Sequence, residues 1–113
     1  MRCVVCGEME ELDDAHVKDR SEFAPSEDDR THNIISLCPT HHRMFDNHII
    51  GICPSKEELI VEEAGGLSVI EPKLSIGHIK EEYVEYHNSR CTPRIRAALG
   101  LIPDQEYAKK CGQ

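Results

Sequence analysis

The stretch Asn33-Ile34-Ile35-Ser36-Leu37-Cys38-Pro39-Thr40-His41-His42-Arg43-Met44-Phe45-Asp46 decides how this chain folds. Its first five residues are rich in branched apolar side chains, which suit a half-buried extended segment, so a strand is predicted over residues 33–37. Pro39 follows Cys38 directly. Proline has its φ already fixed and no N–H to offer, so it sits well in the first turn of a helix. A helix is therefore predicted from Pro39 to Asn47. Such a helix carries His42 and Asp46 on one face, four residues apart. His41 and His42, as neighbours, point about 100° apart, so one helix can serve two separate sites.

Working outward, Cys3-Val4-Val5-Cys6-Gly7 has the composition of a tight turn, with a glycine where a metal knuckle needs unusual backbone angles. Leu12 to Val17 reads as a first strand. Ser21 to Arg30, with Pro25 and the adjacent acids Asp28 and Asp29, reads as a polar surface loop. The local order is strand, loop, strand, helix. Downstream, Glu58 to Glu63 and Leu67 to Ile70 flank Ala64-Gly65-Gly66 and predict a hairpin with a glycine turn. Ile76, Ile79, Tyr83 and Tyr86 recur at spacings of three and four, which predicts an amphipathic helix over Ile76 to Arg90. A last short helix is expected from Pro93 to Leu99, before Gly100. Neither internal repeats nor low-complexity tracts divide the chain. Residues 1–52 are expected to form the core, and residues 53–113 an extension packed on it.

A chain of 113 residues buries only a limited fraction of its surface, and aromatic side chains make up 4% of it, with no Trp. A metal cross-link would compensate. Cys3 and Cys6 form a C-x-x-C pair, and Cys38 and His41 a C-x-x-H pair. Thiolate and imidazole in two such pairs satisfy tetrahedral zinc with no open position, so the expected site is structural. It would tie the N-terminal turn to the start of the helix. His48 is the alternative to His41 should the helix geometry differ. Cys53, Cys91 and Cys111 have no such spacing and are expected to pack as small apolar residues; His32, His78 and His87 read as ordinary surface or packing histidines. The acidic run from Glu8 to Asp14 follows the first cysteines at once and leaves no apolar segment of a secretory signal. A soluble protein of a reducing compartment, the cytoplasm, is therefore expected. No stretch approaches the roughly 18 apolar residues of a membrane span.

Asp14-Ala15-His16, then Asn33, then Cys38-Pro39-Thr40-His41-His42 with Phe45-Asp46 behind them resemble the HNH endonuclease family, and in particular its members that end the motif in H-x-x-F-D. The resemblance covers about Cys3 to Ile50. It implies an α+β fold: a small ββα-metal core with a structural zinc, followed by a β-hairpin and C-terminal helices. It also implies metal-dependent hydrolysis of DNA phosphodiester bonds, with His16, Asn33 and His42 as the family's His, Asn and His. Ala15 departs from the pattern, because many members place a metal-binding Asp or His just before the base. Asp46, one helical turn after His42, is the first replacement. Asp14 is the second, since strand alternation puts it on the face of His16.

The chemistry accounts for these residue types. Phosphodiester hydrolysis needs a base to take a proton from water, a cation to hold the phosphate, and a group that fixes the base. His16 suits the base, because imidazole titrates near neutral pH. Asn33 can hold the hairpin loop with its amide, and His42 can place a ring nitrogen on the cation. Magnesium or manganese fits phosphate oxygens as a hydrated hard cation.

The formal charge of −8 runs against this reading, because phosphate affinity comes from Lys and Arg. Lys18, Arg20, Arg30 and Arg43 are candidates for a local basic lip. The expected partner is DNA and not a membrane, with the chain acting as a homodimer or within a larger DNA-processing complex. Two alternatives stay open: a non-catalytic zinc module that binds a protein, and a nuclease subunit brought to DNA by another chain.

Overall fold

The computed structural model describes residues 1–23, 30–53 and 55–101. The loop residues Pro25, Asp28 and Asp29, as well as Tyr107 and Cys111, lie outside them. Strand β1 (Asp13–His16) pairs antiparallel with β2 (Ile34–Leu37), with His16 opposite Ile34. The backbone pairing continues one step further, because the Val17 amide donates to the Asn33 carbonyl at 2.9 Å. Helix α1 (Pro39–Asp46) follows at once, with Cys38 as its extended N-cap and Pro39 in its first turn. The strand-loop-strand-helix order is the α+β core expected from the sequence.

The second half differs from expectation in two places. Ile50–Cys53 forms a strand, β3, so the hairpin β4 (Glu58–Glu63) and β5 (Gly66–Ile70) belongs to a three-stranded antiparallel sheet in the order β3-β4-β5. The β4–β5 turn is two residues long, Ala64-Gly65, closed by the Glu63–Gly66 pair. Helix α2 spans only Glu81–Asn88 rather than Ile76–Arg90. Lys80 is extended at its N-cap, and the Ile79 amide closes a separate turn on the Ile76 carbonyl. Ile76 and Ile79 are nonetheless buried. Their helical spacing arises from a docked turn followed by a helix, and sequence periodicity does not separate the two.

Helix α3 (Pro93–Ala98) completes the described elements. Thr92 caps it, accepting from the Ile95 amide, while its hydroxyl donates to Glu62 of β4. Helix α2 closes the outer edge of β3 with side chains. The Asn88 carboxamide accepts from the Ile52 amide at 3.0 Å and donates to the Ile52 carbonyl at 2.7 Å, and His87 Nε2 donates to the Ile50 carbonyl at 2.7 Å. These edge groups would otherwise be buried without partners, at a cost of about 1–3 kcal/mol each. Phe45, Leu37, Ile50, Ile52 and Leu59 are among the largest side chains of the shared core. Phe45 thereby anchors α1, and with it the neighbouring His42 and Asp46, against both sheets. Among the described residues no helix is long and apolar enough to cross a membrane.

Candidate functional site

Cys3, Cys6, Cys38 and His41 come together, with one donor atom from each lying within 4.8 Å of the others. The first two stand on a turn closed by the Gly7 amide on the Cys3 carbonyl, and Gly7 has the positive φ of 84° that this turn requires. Val4 pins the turn to the end of β2 through the Ser36 carbonyl, at 3.0 Å. Cys38 and His41 come from the cap and first turn of α1. Cys6 Sγ is 3.9 Å from Cys38 Sγ, while His41 Nδ1 is 3.2 Å from Cys38 Sγ and 3.7 Å from Cys3 Sγ. Tetrahedral zinc with bonds of about 2.3 Å to sulfur and about 2.0 Å to nitrogen would separate its ligands by roughly 3.5–3.8 Å. The four residues fit that ion in both donor chemistry and spacing.

The protonation tendencies of the cluster agree in part. Burial favours the neutral Cys3 thiol, but amides of Cys38, Cys6 and Val5 donate to its sulfur and bring its pKa below the ordinary value. Burial raises that of Cys6, with Cys3 adding to the effect. Burial lowers the pKa of His41 and keeps the imidazole neutral, the form that ligates metal. His48 stands elsewhere, its ring 5.3 Å from that of His87.

The second group centres on His42. Its Nδ1 is 3.0 Å from Asp13 Oδ2 on β1, and its Nε2 is 3.4 Å from Asp46 Oδ2 one turn along α1. The acid that β1 presents to His42 is thus Asp13 and not Asp14. Asp14 pairs at 3.3 Å with Arg30, on an exposed surface. Sequence reasoning missed Asp13 because alternation shows which strand residues share a face, not which face meets the helix. Ala15, on the same face as Asp13, is fully buried, and a small residue there is the signal that was available. Among the described residues, no second group of three or more Cys, His, Asp or Glu donors is as close as the zinc-type cluster.

Asp46 also lines a cleft of about 170 Å³ with His16, Asp19, His48, Tyr86 and His87. His16 Nε2 is buried and has no hydrogen-bond partner among the described residues. Asn33 is fully buried at the base of the loop that follows His16. Its Oδ1 accepts from the Lys18 amide at 2.8 Å and its Nδ2 donates to the Lys18 carbonyl at 2.9 Å. This two-point clamp fixes the backbone two residues beyond His16. The Lys18 ammonium lies 4.9 Å from the Phe23 ring centre and 5.6 Å from that of Tyr86, at the margin of the cleft.

Residues 3–53 match the family model described as HNH endonuclease. Among solved structures, a modification-dependent TagI restriction endonuclease is similar, with a TM-score of 0.60 and 28% sequence identity over 80% of this chain. The similarity covers 33% of that chain, so the present sequence spans about a third of it. No curated protein matches. The Cys-His cluster, the Asn33 clamp and the cleft residues of the first half all fall inside the matched segment, so the part of this chain that carries them is similar to the HNH endonuclease family.

Proposed function

We propose that this protein is a metal-dependent endonuclease that hydrolyses DNA phosphodiester bonds, with His16 as general base and with His42 and Asp46 holding a divalent cation. One observation carries the reading: His16 lines the same cleft as Asp46, whose carboxylate faces His42. An imidazole that lines a cleft can accept a proton there from a bound water. As the water loses that proton to His16, its oxygen attacks phosphorus, and the bond to the leaving oxygen breaks. Asn33 holds the loop after β1, so the imidazole is not left to sample other positions. Magnesium or manganese bound by His42 and Asp46 would supply positive charge at the phosphate. Cys3, Cys6, Cys38 and His41 would hold a structural zinc that braces the hairpin against the helix. DNA as the substrate is supported by the family and by the similar structure's being a restriction endonuclease.

The test is plasmid cleavage with Mg²⁺ or Mn²⁺. Wild type is expected to nick or linearise the plasmid, and His16→Ala to lose on the order of 10²–10⁴-fold in rate, the usual contribution of a positioned base. Equal rates in the two proteins would remove His16 from the mechanism.

A second reading is favoured by the charge of −8. Here the catalytic groups are the same, but affinity for DNA comes from a partner or from a further segment of chain. It predicts weak binding of this chain to DNA alone, with a shallow salt dependence because few phosphates are contacted.

A further inference from the structure

An imidazole has two ring nitrogens, and both of those on His42 face carboxylates in this fold. Asp46, at Nε2, lines the cleft that holds His16. Asp13, at Nδ1, does not line it, and reaches His42 from β1 across the strand–helix junction. A neutral imidazole carries its single proton on one nitrogen and offers a lone pair on the other. A cation that serves His16 must therefore lie on the Nε2 side, which requires the proton to stay on Nδ1.

We propose that Asp13 is a positioning residue that accepts the Nδ1 proton of His42, fixes the ring's tautomer and orientation, and so sets the affinity of the Nε2–Asp46 side for its cation. This rests on the reading of His42 as a cation ligand. A carboxylate behind a metal-binding histidine raises the basicity of the ligating nitrogen and removes the ring's freedom to turn away. The effect carries more weight here than in a site with many ligands. Ala15 has no donor, Asp14 is turned toward Arg30, and His42 with Asp46 leaves two protein donors, so a misdirected ring removes half of them. Asp13 is also suited to the role by its separate attachment, since it moves with β1 and His16 while His42 moves with α1. Their 3.0 Å contact locks the base-bearing strand to the cation-bearing helix.

The experiment measures Mn²⁺ binding to the zinc-loaded protein by calorimetry, with no DNA present, for wild type, Asp13→Ala, Asp13→Asn and His42→Ala. Asp13 is about half exposed, with 46% of its side chain accessible, so these changes leave zinc content and melting temperature near wild type. Asp13→Ala is expected to weaken Mn²⁺ binding about 10–100-fold, the usual range for loss of an outer partner of a ligand. Asp13→Asn, which keeps an acceptor oxygen, is expected to recover part of that loss, and His42→Ala to abolish binding. Nitrogen-15 NMR of His42 is expected to show Nδ1 protonated in wild type and a mixture of tautomers in Asp13→Ala. Unchanged Mn²⁺ affinity in Asp13→Ala, with loss in His42→Ala, would overturn the role of Asp13 and leave the cation site standing. Wild-type affinity in His42→Ala would instead overturn the cation site itself. A wild-type His42 protonated on Nε2 would contradict the tautomer argument directly.

Discussion

His87 joins the fold to the cleft through one ring. It is nearly fully buried, stacks on Phe45 with ring centres 3.8 Å apart, and donates from Nε2 to the Ile50 carbonyl. Burial lowers its pKa from 6.5 to about 4, and the bond to Ile50 opposes this only in part. The sign follows from linkage. Between pH 6.5 and 4 the unfolded chain binds a proton that the folded chain refuses, so stability is fully present above pH 6.5 and falls as the pH drops toward 4. With a shift of this size, the loss from His87 alone amounts to about 3 kcal/mol by pH 4 and about 2 kcal/mol at pH 5. His87→Phe keeps a flat ring against Phe45 and removes the titration. Urea denaturation of the zinc-loaded proteins at pH 7 and pH 5 is expected to show a drop in wild type that exceeds that of His87→Phe by about 2 kcal/mol. An equal drop in both would mean that His87 is protonated in the folded state.

At the scale of elements, the contact between β3 and α3 depends on one missing side chain. A Cβ on Gly51 would lie 2.6 Å from Ile95 Cγ2 and 3.3 Å from Leu99 Cδ1, with Ile95 fully buried. Gly51→Ala is expected to cost about 1–3 kcal/mol by overpacking. For a chain of this size that lowers the melting temperature by roughly 4–8 °C per kcal/mol. Adding Ile95→Ala should make the Gly51→Ala step less costly, so the double-mutant cycle is expected to show non-additivity; strict additivity would place the strain elsewhere. The same region shows where sequence reading stops. Pro39 and the two spaced ligand pairs made α1 and the metal-type cluster legible, because each is a local signal with a fixed physical meaning. Strand β3 was not legible: Ile50-Gly51-Ile52 is short and interrupted by a weak strand former, and its edge is completed by α2 more than thirty residues away. The start of α2 was hidden because Ile76 and Ile79 bury themselves from a turn. At the candidate site, His16, Asn33 and His42 were proposed from the resemblance, whereas the choice between Asp13 and Asp14 depends on how α1 packs against β1.

For the molecule as a whole, a metal held by the four-residue cluster would compensate for a small core. It draws its ligands from the N-terminal turn and from the start of α1, segments joined otherwise by hydrogen bonds of the Val4 kind and by packing. Metal binding of this type is coupled to folding, with free energies on the order of 10 kcal/mol in small zinc modules, comparable to the whole stability of a domain. One tightly held zinc per chain is therefore expected to survive dialysis. Cys3→Ser is expected to lose both the zinc and the cooperative unfolding transition, since it removes a fully buried thiol that supplies one of the four clustered donors. Cys91→Ser supplies the control: that thiol is buried beneath α2, its pKa is pushed up to about 12, and it lies outside the cluster, so zinc content should not change. The two metal roles separate by order of addition. After a strong chelator strips the protein, Mg²⁺ alone is expected to leave it unfolded and inactive, whereas zinc first and Mg²⁺ second restores the melting transition and then cleavage. Stoichiometric zinc in Cys3→Ser would show that the clip is held by other ligands, and recovery with Mg²⁺ alone would show that the fold does not depend on it.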